Sequence, residues 1–423
     1  MLPDLSRITA LAELLDHPEL TYPTIHVSGT NGKTTTARLI TSLACAHGLS
    51  TGTYTSPHLD SPRERLALCG EPISEEEFAE VYERLQPYLG QVDASSEDRV
   101  TYFETLTGLA FLWFADKPVQ LGVFEVGMGG LWDATNLVAG DVAVLTPIAL
   151  DHPELGSTVE EVATEKAGIV KEGKVAVARE QPPEALEVIR ARVEETGASL
   201  LLEGEEFRVA LRAPGVGGQV ISVQTSRATY SSLRLPLFGE HAARNAAAAI
   251  AALESLLHRE LSEEAVREGL AQASSPGRLE VVGRHPLVVL DGAHNPAGAA
   301  ALVGALGEAF AWDRPWLVLA ISANKDLDGI VAELARLQPN VLVAQHSNLQ
   351  RAAPAHEVAE ACRRHGLDDV EQFDSVPEAL AAAGERAEQA DLILVTGSLY
   401  TVADARRALQ IDAGDRGPSA PRA

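Results

Sequence analysis

A chain of 423 residues is too long for one ordinary core, so two domains are expected. Hydrophobic residues make up 46% of it, enough for a large buried interior, while a net charge of −26 argues against a nucleic-acid partner, which needs a basic face. No apolar run reaches membrane-spanning length, and no charged segment followed by an apolar one opens the chain, so a cytoplasmic protein with no membrane partner is expected.

Residues Leu5 to Leu20, with apolar Leu5, Ile8, Leu11, Leu14 and Leu15, read as a short helix covering the first strand. Thr24-Ile25-His26-Val27 is the apolar run of a buried strand, and Thr36 to His47 carries Leu39, Ile40 and Leu43 at helical spacing. Between them stands Ser28-Gly29-Thr30-Asn31-Gly32-Lys33-Thr34-Thr35. Strand, glycine-containing turn with lysine, then helix is a phosphate cradle. Glycines let backbone N–H groups approach an anion, and the helix N-terminus adds the positive end of its dipole. Gly29, Thr30, Asn31 and Gly32 would form the turn, Lys33 would reach the terminal phosphates, and Thr34 or Thr35 would offer a hydroxyl to magnesium. The full pattern G-x-x-x-x-G-K-[ST] puts its first glycine where Val27 stands, so the match is to a shorter variant supported by the flanking strand and helix.

Tyr54 to Leu59 and Arg63 to Leu66 lack periodicity and read as a loop near the phosphate site. Capping boxes at Ser74…Glu77 and Thr101…Glu104 open a helix to Leu89 and an aromatic-rich helix through Phe103, Leu106, Ala110 and Phe114. Apolar runs follow at Leu121 to Val126, Val142 to Ile148 and Lys174 to Ala178, with a helix from Thr158, capped by Glu161, between the last two. Strands alternating with helices predict an α/β fold with a parallel sheet. Leu233, Leu235 and Leu237 alternate with polar residues or proline, so Phe207 to Leu237 predicts a small antiparallel excursion; an alanine-rich helix, His241 to Leu256, comes next. Ser274-Ser275-Pro276-Gly277 is the linker candidate. Beyond it, runs at Leu287 to Leu290, Trp316 to Ile321, Val341 to Ala344 and Leu392 to Val395 predict a second, smaller Rossmann-like α/β domain. The division is 1–273, a hinge at 274–278, 279–412 and a disordered tail at 413–423. Cys45, Cys69 and Cys362 are odd in number and far apart, and suggest reduced, mostly buried thiols.

In open parallel sheets, ligands bind beyond the carboxyl ends of the strands. The polar residues fall there: the Gly29–Thr35 cradle, Glu125, Asp151 and His152 in the first domain; Asp291, Gly292, His294 and Asn295, then Ser322, Asn324, Lys325 and Asp326, then Thr396, Gly397 and Ser398 in the second. Glu125 either caps a loop or coordinates a metal beside the cradle. His152 and His294 are loop histidines or site residues, Asn245 is a surface amide or a ligand contact, and Lys166, mid-helix, reads from physics alone as a solvated lysine. Arg278 at the hinge is a surface charge or an arm that reaches a phosphate.

These residues resemble the folylpolyglutamate synthase/dihydrofolate synthase family of the Mur ligase superfamily, over Leu5 to about Arg406. The resemblance rests on His26 to Lys33, Thr55-Ser56-Pro57-His58-Leu59 with Glu64-Arg65, Thr101-Tyr102-Phe103-Glu104 and Glu125-Val126-Gly127-Met128-Gly129-Gly130 with Asp133-Ala134-Thr135-Asn136. It continues through Leu150-Asp151-His152, Glu165-Lys166-Ala167-Gly168-Ile169, Pro276 to Glu280, Asp291 to Pro296 and Thr396 to Tyr400. The resemblance implies Ser56, Glu125 and His152 as magnesium ligands, and Asn245, Arg278 and Asp291 as ATP contacts outside the cradle. It implies that Lys166 is carbamylated. It assigns Thr101, Tyr102, Phe103, Glu104, Asp133, Ala134 and Thr135 to the pterin pocket, and Ser398 to substrate. Thr34, Leu131, Trp132, Ala242, Ser275 and Asn324 depart from the family's usual residues, which bears on substrate preference.

What the resemblance implies is an ATP- and magnesium-dependent amide ligase, a monomer, with a monovalent cation such as K+ as a further candidate. It would add L-glutamate to folates or to dihydropteroate through an acyl phosphate, with Lys33, Glu125, His152, Lys166 and His294 as catalytic residues. Closure about the hinge would bring His294 and Arg278 to the nucleotide. Three other readings stay open: a Mur-type peptidoglycan ligase, for which the stretch before the cradle leaves no room for an N-terminal UDP-binding domain, a P-loop ATPase switch, and a non-catalytic binding protein, against which the intact Lys33 speaks.

Overall fold

The structure is a computed structural model and describes residues 4–150 and 153–411. Asp151, His152 and the tail expected at 413–423 lie outside them. The chain divides into two compact units. One runs as far as Ala213 and includes Val220–Pro236 and Ala242–Ala273; the other comprises Pro214–Gln219, Leu237–His241 and the chain from Ser274 on.

In the first unit, β1 (Thr24–Ser28), β2 (Thr51–Tyr54), β3 (Leu66–Leu68), β4 (Glu71–Pro72), β5 (Leu121–Glu125), β6 (Val142–Leu145), β7 (Val175–Ala178) and β8 (Ser199–Leu202) form one sheet. Its order is β4-β3-β2-β5-β1-β6-β7-β8. The strands from β2 to β8 in that order run parallel, and β3 and β4 add an antiparallel edge. Every position of β1, β2, β5 and β6 is buried, as expected of parallel strands covered on both faces.

The covering helices are α1 (Ser6–Leu14), α2 (Lys33–Ala46), α3 (Glu75–Ser95), α4 (Tyr102–Asp116), α5 (Val159–Ala167), α6 (Pro183–Thr196), α7 (Glu240–Leu257) and α8 (Glu263–Gln272). α1, α3 and α4 build one apolar cluster on Tyr54, Leu66 and Phe124, and α5 and α6 build another on Ala143, Leu145, Ala176 and Ala178. The Thr101 and Thr158 capping boxes form as expected, whereas at Ser74 only the serine half is made, its Oγ accepting from Glu77 N. The excursion is a three-stranded sheet of β9 (Phe207–Gly215), β10 (Gly218–Thr225) and β11 (Thr229–Leu235), joined by tight turns that only antiparallel neighbours allow.

In the second unit, β12 (Glu280–Arg284), β13 (Leu287–Leu290), β14 (Pro315–Leu319), β15 (Asn340–Val343), β16 (Val370–Gln372) and β17 (Leu392–Thr396) form a sheet of order β12-β13-β17-β14-β15-β16. All its pairs are parallel except β12 with β13. Helices α9 (Pro296–Ala309), α10 (Leu327–Leu334), α11 (Ala355–Arg364), α12 (Val376–Arg386) and α13 (Leu399–Ala408) accompany it. No described helix is long and apolar enough to cross a membrane.

Two expectations need correction. The stretch read as a loop from Tyr54 contains the end of β2, a 3-10 turn at Pro62–Arg65 and β3; these pieces are too short to show a period. The cysteines are not all reduced thiols: Cys45 and Cys69 are joined, S–S 2.07 Å, and the free Cys362 is buried. Sequence spacing hid the pair. Cys69 lies past the end of β3, where its N–H donates to Thr51 O at the start of β2, and β2 follows directly on the end of α2, which carries Cys45.

Candidate active site

The strand order reverses around β1: the chain moves outward to β2 on one side and to β6 on the other. Such a switch point opens a crevice at the carboxyl ends. Gly29 fills it with φ +138°, and a Cβ there would stand 1.9 Å from Thr146 Oγ1, so both backbone and space require glycine. Gly32 has φ +93° and lies against the Asn245 amide, 3.0 Å from the position a Cβ would take. The Thr30 hydroxyl donates to Ala149 O at 2.8 Å, pinning the turn to the chain beyond β6. α2 starts at Lys33 with no side-chain cap from Gly32, as suits a helix end that receives an anion. Lys33 Nζ folds back to donate to Gly29 O and Thr30 O, 3.0 and 3.1 Å away. Asn31 and Thr34 are half-buried, and Thr35 is buried.

Glu125 ends β5, beside Val27 of β1, and is 1% exposed. Its Oε1 accepts from Thr34 Oγ1 at 2.8 Å and its Oε2 from Ser56 N at 3.1 Å. A carboxylate and two hydroxyls make a hard oxygen set, the chemistry that magnesium prefers, so these residues fit the ion. His152 lies outside the described residues, among which no group of three His, Cys, Asp or Glu side chains is placed to hold a metal ion.

Lys166 contradicts the solvated reading. It is 3% exposed, and its Nζ donates to Gly29 O at 2.8 Å. One carbonyl oxygen therefore receives the amino groups of both Lys33 and Lys166. Asn245 is buried as well, at 1% exposure, and its Oδ1 accepts from Arg179 Nη1 at 2.5 Å. That bond fixes which amide atom is the oxygen and holds the group edge-on to Gly32, with Nδ2 and Oδ1 3.0 and 3.1 Å from where a Cβ would be. Arg179 is held in turn by Glu203, which also takes Arg244 Nε at 2.6 Å. Arg179 and Glu203 were not singled out in the sequence; a charged pair just past two strand ends is the signal that could have found them.

The residues assigned to the pterin pocket divide into two groups. Thr101 and Glu104 cap each other at the start of α4, and the buried Glu104 carboxylate also holds Arg7. Tyr102 is 58% exposed, with the Arg65 guanidinium 5.7 Å from its ring centroid. The Phe103 ring lies over Gly127, where a Cβ would approach it to 2.5 Å. Asp133, buried, accepts Met128 N at 2.9 Å and Thr135 N at 3.0 Å; burial raises its pKa and these bonds oppose the rise. Ala134 is buried next to it. Met128 and Trp132 are large side chains left 44% and 49% exposed on the same loop.

In the second unit, Asp291 follows β13, and its two oxygens accept Leu279 N and Ala293 N, both at 2.8 Å. Burial raises its pKa, with Arg278 the first opposing charge. Gly292 leaves room for that guanidinium, whose Nη1 lies 2.4 Å from where a Cβ would be. His294 Nδ1 is 2.8 Å from Gly292 O; the carbonyl can only accept, so Nδ1 carries the proton of that bond. Ser398 follows β17 and caps α13, accepting Thr401 N at 3.0 Å; Thr401 Oγ1 donates to Ala320 O at 2.6 Å. Beside them Ser322 Oγ lies 3.2 Å from Nε2 of His346, a buried histidine stacked on Tyr400 that sequence reasoning missed.

Residues 27–253 match the Mur ligase middle domain, and residues 277–399 match the Mur ligase glutamate ligase domain. The dihydrofolate synthase/folylpolyglutamate synthase of Mycobacterium tuberculosis is 40% identical over 96% of this chain and 89% of its own length. The enzyme of the same description from Bacillus subtilis is 35% identical over 96% and 95%. Among solved structures, Mycobacterium tuberculosis folylpolyglutamate synthase complexed with ADP matches with a TM-score of 0.93 at 40% identity, over 97% of this chain and 95% of that one. The Escherichia coli protein in complex with DHPP and ADP matches at 0.87 and 33% identity, over 97% and 94%. With the cradle, the two sheets and these likenesses in agreement, the chain belongs to the dihydrofolate synthase/folylpolyglutamate synthase family of Mur ligases.

Proposed function

We infer that the protein is an ATP-dependent carboxylate–amine ligase that adds L-glutamate to folates, and that its acceptors include dihydropteroate. The observation that carries this reading is the gathering of Lys33, Thr34, Ser56, Glu125 and Lys166 around the cradle at the carboxyl ends of β1 and β5. A carboxylate is a poor electrophile because its charge is delocalised and its leaving group would be oxide. Transfer of the γ-phosphoryl group of ATP onto a carboxylate oxygen gives an acyl phosphate. The glutamate amine attacks its carbonyl carbon, and phosphate leaves with the C–O electron pair. Lys33 and the N–H groups of the cradle stabilise the charge on the transferring group. Thr34, Ser56 and Glu125 are the described residues suited to hold magnesium, which when bound neutralises phosphate charge. Asn245, oriented by Arg179, contacts the nucleotide, and the loop carrying Asp133 and Thr135 receives the pterin.

Lys166 is the site of a further proposal within this reading. Lys166 is buried beside the cradle, with its Nζ on the same carbonyl as that of Lys33. The amine adds to carbon dioxide, releasing a proton and leaving a carbamate with two acceptor oxygens near the metal-binding set. The carbonyl shared with Lys33 supports the proposal, since a carbamate there would turn like charges into opposite ones.

The test is ADP release with glutamate plus each acceptor in turn. Turnover with a reduced folate and with dihydropteroate, each dependent on glutamate, is the expected result; turnover with a reduced folate alone would remove dihydropteroate from the acceptors. ATP hydrolysis indifferent to both acid and amino acid would point instead to a P-loop switch.

A further inference from the structure

His26 lies in the middle of β1 with none of its surface exposed. Its strand neighbours are Phe124 and Ala143. The first belongs to the apolar cluster under α4 and the second to the cluster under α5, so the imidazole sits on the seam between them. Over that seam runs the 3-10 turn Ala134–Leu137. His26 Nε2 is 2.8 Å from Thr135 Oγ1, and Thr135 Oγ1 is 2.5 Å from Asp133 Oδ1.

The direction of these bonds follows from proton counting. A hydroxyl has one proton, and the carboxylate, which already accepts the Thr135 and Met128 N–H groups, takes it. Thr135 Oγ1 must then accept from His26, so the ring carries its proton on Nε2. Burial holds the His26 pKa down at about 3, and the ring is neutral at physiological pH. Its Nδ1 is buried with no hydrogen-bond partner. A leucine would fill this place between two apolar clusters without leaving a nitrogen unsatisfied, so packing alone gives no reason for an imidazole. What the imidazole supplies is one directed N–H beneath the Asp133 loop.

We propose that His26 is a positioning residue for the acceptor: through the Thr135 hydroxyl it holds the Asp133 carboxylate in the orientation that receives the pterin ring. This rests on the reading of the Asp133–Thr135 loop as the acceptor site. β1 grips that loop a second time, where Ser28 Oγ donates to Gly129 O at 2.6 Å. The strand that feeds the phosphate cradle thereby also sets the height of the acceptor loop.

The experiment compares His26→Leu, which keeps bulk and removes the donor, with His26→Gln, whose amide can donate from a similar reach. Kinetics are read separately for acceptor, ATP and glutamate. His26→Leu should raise the acceptor KM about tenfold, the scale typical of removing a residue that orients a ligand group. The KM values for ATP and glutamate should stay within about twofold, and His26→Gln should recover most of the loss. An acceptor KM unchanged in His26→Leu, an ATP KM that rises in step, or a glutamine no better than leucine would overturn the proposal. If His26→Leu does not fold, Thr135→Val against Thr135→Ser puts the same question to the hydroxyl, with valine expected to raise the acceptor KM and serine to spare it. Asp133→Asn separates the two levels. If it leaves the acceptor KM unchanged, the acceptor reading of the loop fails; if it raises that KM while His26→Leu does not, only the relay fails.

Discussion

Compared edge to edge, the two parallel sheets put side chains of different character beyond their carboxyl ends. At the first, ionisable groups are buried: Glu125, Lys166 and Arg179 are 1%, 3% and 4% exposed, and each has a named partner in the cradle or on Asn245. At the second, the Asp291 carboxylate is satisfied by backbone N–H groups and faces one cation, the Arg278 guanidinium, while the other groups named along that edge are the hydroxyls of Ser322, Ser398 and Thr401 and the rings of His294 and His346. The difference matches the charge each edge would meet under the function proposed above. A transferring phosphoryl group carries several negative charges, and fixed cations out of water stabilise it strongly. An amine nucleophile has to arrive uncharged, and neutral donors and acceptors can orient it without protonating it. The lesson is that one architecture supports both tasks because the sheet fixes only where side chains are placed.

The comparison can be broken most severely at its charged end. Lys33→Ala should lower ADP release at least about a hundredfold with the far-UV circular dichroism unchanged; near-normal turnover would remove this lysine from the chemistry. Lys166→Ala should lose about ten- to a hundredfold, with partial recovery when a short carboxylic acid is added. A high-resolution map at neutral pH with bicarbonate reads the modification directly, and clear density for an unmodified amine in an active crystal form would end the carbamate proposal. Glu125→Gln should raise the magnesium needed for half-maximal rate about tenfold or more, because an amide is a weaker ligand for a hard cation. An unchanged magnesium titration would take Glu125 out of the metal set.

Smaller effects sharpen the contrast. Arg179→Met frees the Asn245 amide and should raise the KM for ATP about tenfold, the cost of one hydrogen bond to a charged group; an unaltered KM would mean that Asn245 keeps its orientation without it. At the second edge, Ser398→Ala removes a neutral hydroxyl worth ~1 kcal/mol, so the KM for glutamate should rise only about fivefold while that for ATP stays put. A larger rise for ATP than for glutamate would erase the division of labour between the edges.

The cradle, the caps at Thr101 and Thr158 and the longer apolar strands were legible because each is written in adjacent residues. β2, with the sequence Thr51-Gly52-Thr53-Tyr54, was not, since it is buried by its neighbours in the sheet rather than by its own polarity. Lys166 was misread for the same reason: a lysine inside a helix shows nothing of the carbonyl it meets 137 residues away. The His26–Thr135 and Arg179–Asn245 contacts span 109 and 66 residues and exist only once the strand order is known. What local chemistry left out was therefore mostly pairing, and the active-site charges depend on pairing more than the core does.

The bond between Cys45 and Cys69, 24 residues apart, closes a covalent ring with Ser56, His58 and Arg65 inside it. A peptide bond cut anywhere within that ring leaves the protein a single covalently continuous molecule. Nicked protein would run as the full-length band without reductant and as two pieces with it. The segment bordering the Glu125 carboxylate could thus be opened by a protease while both halves stay tethered, so activity after cleavage would report on the geometry of the loop and not on dissociation of fragments.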